Sequence, residues 1–358
     1  MLTPSNIAYY RLYNQYIART TFEQPSDIVK WLGAVQAQDY LGALWAIGLR
    51  TRNTTEEDIE QAIANKTIIR TWPMRGTLNF VAATDACWML KLLTPRVVAG
   101  NARRLLQEFN LDEAVFARSK ESFLKALQGG KQLSRDAMYQ VLEAARIDTA
   151  NQRGLHILSQ LAQEGVICFG AREGKQQTFV LLDEWVPKAK TMERNEALAE
   201  LAKRYFTSHG PATLQDFAWW SGLTTADARA GVEMVNSELT HEVVDGQKYW
   251  LPQNLSITKD PSPTAYLLPP YDEYTVAYKD RSAVLDPFYA KQAGNGIFSP
   301  VIIIDGQVVG TWKRTFKKGS VVVTPSPFTS LKRTEKQALV LAANHYGSFL
   351  KMPVVLAS

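Results

Sequence analysis

One order of predicted elements recurs along this chain and constrains its fold more than any other feature: several helices followed by a short β-hairpin. Its first instance begins with helical patterns at residues 6–17, 26–32 and 55–65. A β-branched and aromatic stretch at 67–81 follows, interrupted by Pro73 and Gly76 as two strands joined by a turn would be. This layout is typical of a winged helix, a variant of the helix-turn-helix.

The same order is predicted twice more. The second instance has helices at 112–127, 134–144 and 151–164, and hairpin strands at 166–169 and 177–181. The third has helices at 195–207, 213–220 and 224–236, and strands at 239–244 and 248–251 around the turn Asp245-Gly246. Residues able to cap helices stand at Ser26-Asp27, Ser134, Thr213 and Thr224. The pattern predicts three winged helices in tandem.

The last hundred residues change class. Strands are predicted at 264–268, 299–304, 307–313 and 320–324, with a closing helix at 334–348. The Pro-rich segment 260–264 marks a boundary before them. We therefore predict an α+β fold of four domains. These are winged helices at 1–110, 111–190 and 191–258, and a small C-terminal β-barrel with a terminal helix at 259–358.

Composition narrows the class of protein. With 358 residues, 46% hydrophobic and nine Trp, the chain is long and apolar enough for several buried cores. No apolar run reaches the roughly 18 residues that span a bilayer, and the amino terminus lacks the basic and apolar regions of a secretory signal. Cys87 and Cys168 are far apart, and the four histidines share no ligand spacing. We expect a reduced, cytoplasmic protein with no membrane partner and no zinc site.

The net charge of +5 is concentrated in one segment. Residues 311–336 carry seven Lys or Arg side chains against the single acidic residue Glu335, a net charge of +6. A polyanionic partner is favoured by such a segment because each neutralised phosphate releases condensed counterions. A solvated, solubilising face would show the same composition.

Two primary amides stand one residue apart in the tripeptide Gln36-Ala37-Gln38. On an extended backbone, both side chains would point to one face. Two amide oxygens can hold one water molecule, and neither amide titrates near neutral pH. Taken alone, the pattern is also that of a solvated or capping pair.

Five separate stretches of the sequence resemble one known family. They are 35–39 (VQAQD), 72–78 (WPMRGTL), 210–222 (GPATLQDFAWWSG), 267–273 (LLPPYDE) and 308–314 (VVGTWKR). Together they are similar to the winged-helix DNA glycosylases of the AlkZ type, a group that includes enzymes unhooking interstrand crosslinks. The resemblance covers nearly the full length, and the family's three tandem winged helices with a C-terminal β-barrel agree with the division made above from pattern.

The resemblance implies a monofunctional DNA glycosylase without metal or cofactor, whose signature is Gln-apolar-Gln or Gln-apolar-Asp. That signature falls here on Gln36 and Gln38, which are the expected catalytic residues. Ala37 is smaller than the apolar residue that the motif often carries. The expected substrate is double-stranded DNA containing alkylated or crosslinked purines.

The chemistry suits such a signature. Alkylation at purine N7 gives the base a positive charge and makes it a good leaving group, so little proton transfer is needed. A positioned water and negative dipoles aimed at the developing sugar cation would be enough. Because an amide is a poor general base, we expect weak or no excision of uncharged lesions. The adjacent Asp39 is either an auxiliary catalytic group or a cap or turn residue.

Other residues are candidates for DNA contacts. Trp72 and Met74, in the first predicted hairpin, would lie near the lesion or stack on it, or else pack within the hairpin. The expected DNA-binding side chains are Arg75, Arg103, Arg104, Lys313 and Arg314. One of Trp219 and Trp220 is expected in the core, which leaves the other to stack on a base. Asp272 and Glu273 are paired carboxylates that fit either a salt bridge or a site.

Two other functions fit part of the pattern. Winged helices most often bind DNA without catalysis, as in transcription regulators, but those are commonly dimers, and this chain has no heptad segment that would dimerise it. An assembly scaffold would leave the basic segment unexplained. We therefore expect a monomeric repair glycosylase, cytoplasmic and associated with the bacterial nucleoid when it acts on DNA.

Overall fold

The computed structural model describes residues 2–253 and 263–357. The α-helices are α1 (Pro4–Asn14), α2 (Pro25–Leu32), α3 (Tyr40–Gly48), α4 (Glu56–Ala64), α5 (Ala86–Leu93), α6 (Pro95–Phe109), α7 (Glu113–Leu127), α8 (Arg135–Ala144), α9 (Arg153–Gln163), α10 (Leu182–Trp185), α11 (Arg194–His209), α12 (Leu214–Ser221), α13 (Thr225–Met234), α14 (Glu273–Val276) and α15 (Arg333–Phe349). The strands are β1 (Val35–Gln36), β2 (Ile68–Met74), β3 (Thr77–Ala82), β4 (Leu133–Ser134), β5 (Ile167–Phe169), β6 (Thr178–Leu181), β7 (Leu239–Val244), β8 (Gln247–Pro252), β9 (Ala265–Leu268), β10 (Val301–Ile304), β11 (Gln307–Lys317), β12 (Ser320–Pro327) and β13 (Val354–Leu356). No helix in these described ranges is long and apolar enough to cross a membrane.

The chain divides into two compact units. Unit 1 comprises Met1–Ile59 and Leu198–Ser358, and unit 2 comprises Glu60–Ala197. Both boundaries fall inside helices, α4 and α11. The predicted division into four domains at 110, 190 and 258 follows the order of elements, and its last boundary lies with residues 254–262, outside the described residues.

Unit 2 is built on a sheet that joins two of the predicted hairpins. Strands β3, β2, β5, β6 and β4 lie side by side in that order, and the pair Arg70 and Phe169 links the first hairpin to the second. Helices α7, α8 and α9 pack with this sheet around one apolar cluster. The buried side chains of that cluster include Trp72, Phe116, Phe123, Met138, Leu142, Ile157, Leu161, Phe169 and Phe179.

Unit 1 contains the C-terminal sheet, whose strand order is β13-β12-β11-β10-β9. Neighbours pair antiparallel except β12 and β13, which are parallel, with Val321 opposite Val354. Among the described residues, β13 and β9 remain the two edges of this sheet, so the predicted small β-barrel is present as an open, five-stranded sheet. The physical reason is that closure requires the edge strands to pair with each other.

Helix α15 packs on this sheet and on α3 through aromatic contacts. The ring of Trp45, in α3, lies 5.0 Å from that of Tyr346 and 5.1 Å from that of Phe349. Two indole N–H groups then fix strand β9: Trp45 Nε1 donates to the carbonyl of Leu267 (2.7 Å), and Trp312 Nε1 to that of Leu268 (2.8 Å). The strand that precedes residues 269–273 is therefore rigidly held beneath α3.

Most predicted helix starts are confirmed, and one is wrong. Ser134, Thr213 and Thr224 each accept a backbone N–H as the N-cap of their helix. Helix α2, in contrast, begins at Pro25 after Gln24, so Ser26 and Asp27 lie inside its first turn. Proline at the first helical position has a preset φ and needs no donor, which explains the earlier start.

Candidate active site

The two glutamines lie on a short segment between α2 and α3. Gly33 ends α2 with φ +82°, a left-handed conformation, and a Cβ at this position would lie 3.3 Å from the indole of Trp220. Glycine is therefore required both for the turn and for the close approach of that ring. Two extended residues, β1, follow, and then Ala37 and Gln38 lead into α3.

The amides of Gln36 and Gln38 occupy different environments. Gln36 is 6% exposed, and Ala37 is fully buried, whereas Gln38 is exposed to solvent. The extended backbone ends at Gln36 and the chain bends at Gln38, so the alternation of a strand does not continue across the pair. One amide is thus buried within the protein, whereas the other is open to solvent.

A buried carboxylate lies directly beside the first glutamine. Glu273 Oε1 accepts the backbone N–H of Gln36 (2.9 Å), and Glu273 Oε2 accepts the indole N–H of Trp220 (2.8 Å). The side chain of Glu273 is 2% exposed. The backbone at the start of the glutamine segment is therefore anchored to a side chain 237 residues further along the chain.

The neighbouring carboxylate belongs to a different contact. Asp272 pairs with Arg50 through two bonds, Nη2 to Oδ1 (2.6 Å) and Nη1 to Oδ2 (2.9 Å). Gln15 joins both acidic residues to this network, since its Oε1 accepts from Arg50 Nη2 (3.1 Å) and its Nε2 donates to the backbone carbonyl of Glu273 (3.4 Å). The sequence could not decide whether Asp272 and Glu273 form a salt bridge or belong to a site. In the structure Asp272 forms the salt bridge with Arg50, and Glu273 lies beside the glutamine segment.

His209 completes the surroundings of Glu273. Its Nε2 lies 3.6 Å from Glu273 Oε2, and its ring stacks on Tyr205 with the centroids 5.0 Å apart. Burial lowers the pKa of His209 below the ordinary 6.5, although the carboxylate of Glu273 opposes that shift. His209 is therefore neutral near pH 7, and it does not neutralise Glu273.

Asp39 is the N-cap of α3. Its Oδ1 accepts the N–H of Gly42 (3.1 Å), and a Cβ on Gly42 would lie 2.7 Å from Oδ2, so glycine makes room for the capping carboxylate. Arg314, on β11, approaches the same carboxylate and donates through Nη1 to Tyr346 Oη (3.1 Å). The structure thus gives Asp39 the capping role that was one of its two predicted roles.

The other predicted residues of unit 1 lie on the surface of the C-terminal sheet. Lys313, Lys317 and Lys318 are exposed on β11 and the turn after it. Arg314 is only 20% exposed because of its contacts with Asp39 and Tyr346. Within unit 1, two residues that were predicted separately, Asp39 and Arg314, are thus brought together, while Lys313 faces solvent.

The predicted residues of unit 2 fall into two groups. Trp72 and Met74 are buried, and Trp72 packs against Phe169 with ring centroids 5.1 Å apart. These two side chains pack within the fold, which was the alternative to a stacking role. Arg75 stands at the hairpin turn with φ +51°. Helix α6 exposes both Arg103 and Arg104, of which Arg104 forms an ion pair with Glu108 on the same helix.

The indole pair at the end of α12 divides as predicted. Trp220 is buried against Gly33 and Glu273, and Trp219 is 43% exposed, with its Nε1 donating to the carbonyl of Val276 (3.1 Å). The contact of Trp220 with the glutamine segment was not predicted from the sequence. The sequence offered one signal for this contact: the stretches 35–39, 210–222 and 267–273 all belong to the same family resemblance.

Fold and site together define the class of the protein. A family model described as "DNA glycosylase AlkZ-like" matches residues 29–349, which include both glutamines, Trp220 and Glu273. The chain belongs to the AlkZ-like DNA glycosylase family and is a DNA glycosylase. This confirms the predicted family and the prediction of an enzyme.

Two comparisons with single proteins agree with this assignment. The chain is 29% identical over 360 residues to a curated protein of Streptomyces sahachiroi named "Interstrand DNA cross-link repair glycosylase", covering 93% of this chain and 94% of that one. The solved structure of "Streptomyces sahachiroi DNA glycosylase AlkZ" superposes with a TM-score of 0.81 at 24% identity, covering 99% of this chain and all of the other. That likeness shows a shared mixed α+β fold.

Proposed function

We propose that this glycosylase hydrolyses the N-glycosidic bond of cationic N7-alkylated purines in double-stranded DNA and unhooks interstrand crosslinks formed through them. The name of the Streptomyces sahachiroi relative supports crosslink repair as the biological task. The observation that carries the proposal is the placement of Gln36-Ala37-Gln38, with one amide buried in the protein and the other exposed.

The proposed mechanism uses water and dipoles instead of a strong base. The positive charge of an N7-alkylated purine weakens its bond to the sugar, so the transition state resembles an oxocarbenium ion with the base departing as a neutral group. The carbonyl oxygens of Gln36 and Gln38 accept hydrogen bonds from a water on the sugar's open face and direct partial negative charge at the developing cation. Water then adds to the anomeric carbon and loses its proton to solvent. Since no lysine takes part, the enzyme is monofunctional.

The small residue between the two amides fits this arrangement. Ala37 is fully buried, so its methyl group occupies the position that a larger apolar residue takes in much of the family. Substitution by a bulkier side chain would press on packed neighbours and displace both glutamines.

DNA binding is proposed for the basic surface of unit 1. Exposed lysines on β11 and its turn, Lys313, Lys317 and Lys318, would contact backbone phosphates. Lys332, Arg333 and Lys336 stand in the first turn of α15, where positive charges oppose the helix dipole. A phosphate backbone would relieve that repulsion. Arg75, Arg103 and Arg104 are the proposed contacts from unit 2.

The proposal extends to architecture and location. Helices followed by hairpins at β2–β3, β5–β6 and β7–β8 support three tandem winged helices at 1–110, 111–190 and 191–258, with the C-terminal sheet at 259–358. We propose a monomer that contacts one lesion site at a time, acting in the cytoplasm on the nucleoid.

Turnover on defined duplexes tests the substrate class. One oligonucleotide carries N7-methylguanine, a second a nitrogen-mustard crosslink, and a third uracil or hypoxanthine, each compared with its spontaneous loss in buffer. The proposal predicts enzyme-dependent release from the first two and no release from the third. Robust excision of uracil or hypoxanthine would contradict the mechanism, because an uncharged base needs a stronger acid or base than two amides supply.

A further inference from the structure

We propose that Glu273 is a positioning residue for catalysis, holding Gln36 in its working orientation through the backbone N–H of that residue. The inference rests on the proposed catalytic role of Gln36. It assigns a function to a buried carboxylate that has no contact with the exposed Gln38 and no place in the water chemistry described above.

One oxygen of Glu273 binds the segment that carries the glutamines, and the other binds an indole that packs against that segment. Oε1 accepts from Gln36 N (2.9 Å), and Oε2 accepts from Trp220 Nε1 (2.8 Å). The far edge of the same indole lies against Gly33, three residues before Gln36. Residues 33–36 are therefore contacted at both ends. Glu273 binds the backbone of Gln36, and Trp220 packs against the turn at Gly33.

Glu273 is itself held by contacts of its own helix and of Gln15. Glu273 is the first residue of α14, which Asp272 caps by accepting the N–H of Tyr274 (2.9 Å). Gln15 donates to the backbone carbonyl of Glu273 (3.4 Å). A carboxylate held in this way on a rigid element transmits its position to the group it binds, as supporting residues around a catalytic centre do.

The charge of Glu273 distinguishes it from a residue retained for stability. Asp272 is paired with Arg50 in two short bonds. Within the described ranges, the partner that Glu273 has within ion-pair distance is His209, at 3.6 Å, and burial keeps that imidazole neutral near pH 7. Burying an acidic side chain without a cationic partner is costly for folding. Its hydrogen bond to Gln36 provides a functional reason for keeping an acidic side chain at this buried position.

The substitution Glu273→Gln isolates this contact at nearly constant shape. A carboxylate accepts both bonds, but an amide keeps one acceptor oxygen and places an NH2 group at the other position. That NH2 group must then face either the N–H of Gln36 or the N–H of Trp220, donor against donor. The first arrangement displaces Gln36 directly, and the second displaces the Trp220 indole that lies against Gly33. A misplacement of about 1 Å can cost about 10²-fold in rate.

A second substitution makes the test specific. In Glu273→Gln combined with Trp220→Phe, the indole N–H is gone, so the amide oxygen can accept from Gln36 while its NH2 group turns toward His209 Nε2, which has no hydrogen-bond partner among the described residues. The double variant should therefore be faster than Glu273→Gln alone, although removal of a buried indole lowers stability. A residue that only supports the fold would give the opposite order.

The matched control is Asp85→Asn. Asp85 is another buried acidic side chain that accepts an indole N–H, from Trp88 Nε1 (3.0 Å), but it belongs to unit 2 and has no part in the contacts of Glu273 described above. Its melting temperature should fall, whereas its excision rate per folded molecule should stay within about threefold of wild type. Glu273→Asp keeps the charge but withdraws it by one methylene, so its rate should fall.

The experiment measures single-turnover excision of N7-methylguanine from duplex DNA as a function of enzyme concentration, with folding checked by circular dichroism. We expect Glu273→Gln to lower the maximal rate about 10- to 100-fold, with the enzyme concentration at half-maximal rate unchanged, and Trp220→Phe to restore part of it. The inference is overturned if Glu273→Gln and Glu273→Asp keep the wild-type rate, if the rate of Asp85→Asn falls as far as that of Glu273→Gln, or if the double variant gains nothing. Gln36→Ala in the same assay separates the two proposals: a wild-type rate there contradicts the proposed function itself.

Discussion

Arg314 Nη2 lies 3.4 Å from both carboxylate oxygens of Asp39, the residue that follows the exposed Gln38 and caps α3. A strand of the C-terminal sheet thus contacts the end of the glutamine segment, and both residues belong to unit 1. Arg314 was predicted to bind DNA directly, and in the structure its guanidinium is engaged by Asp39 and Tyr346.

Asp39→Asn and Asp39→Ala separate capping from catalysis. Asparagine caps a helix about as well as aspartate, so Asp39→Asn loses only the half-exposed ion pair, a contribution below about 1 kcal/mol. Asp39→Ala should lose about 1 kcal/mol more. Urea denaturation gives the stabilities, and excision assays give the rates. We expect Asp39→Asn to excise within about threefold of wild type. A tenfold or greater loss in that folded variant would make Asp39 a direct participant.

Lysines of the β11–β12 hairpin are expected to determine the salt dependence of DNA binding. Lys313→Ala and Lys317→Ala should each lower the affinity for duplex DNA and reduce the slope of log Kd against log salt by about 0.9. Fluorescence anisotropy from 50 to 300 mM salt measures that slope. Lys125→Ala, which removes an exposed lysine paired with Glu121 on α7, is the control. Equal slopes in all three variants would exclude the hairpin as a phosphate-binding surface.

Trp72 should matter for stability more than for lesion contact. It is buried against Phe169 in the core of unit 2, so Trp72→Ala is expected to cost about 3–5 kcal/mol of unfolding free energy. Trp219→Ala, at an exposed position, should cost far less. Chemical denaturation measures both. If Trp72→Phe retains wild-type stability but loses excision, a stacking role for Trp72 would have to replace the packing role.

The burial of His209 should make the stability of the protein depend on pH. Its pKa in the folded protein is lowered from 6.5 by burial, so below about pH 6.5 the unfolded chain binds a proton that the folded protein does not. Stability should therefore be complete above pH 6.5 and decline as the pH falls through that value. His209→Phe removes this proton but keeps a ring to stack on Tyr205. Between pH 7.5 and 5.5, wild type should lose more stability than the variant, as measured by urea denaturation at each pH. If wild type and His209→Phe lose the same stability over this pH range, the pH dependence must come from a group other than His209.

The sequence predicted local structure well because local signals determine it. Caps at Ser134, Thr213 and Thr224 depend on side chains within three residues, and the turn Asp245-Gly246 depends on two, so each could be identified without knowledge of the fold. Helix α3 was missed because its nearly uniform apolar composition has no amphipathic period.

Contacts between distant residues could not be predicted. Strand β13 pairs in parallel with β12 across α15, and the first two hairpins share a sheet through Arg70 and Phe169, which are 99 positions apart. The bond from Gln36 N to Glu273 spans 237 residues. The sequence marked both ends of that bond as family motifs, but only the fold shows that the second holds the first.

Excision by Gln36→Ala and Gln38→Ala, measured together with DNA affinity, tests the central claim most directly. Single-turnover release of N7-methylguanine at saturating enzyme gives the rate, and anisotropy on the same duplex gives Kd. Gln61→Ala, which truncates an exposed glutamine on α4, is the control. The account predicts a fall of about 10²-fold or more in each glutamine variant, with Kd within twofold of wild type. A wild-type rate in either folded variant would contradict catalysis by the two amides.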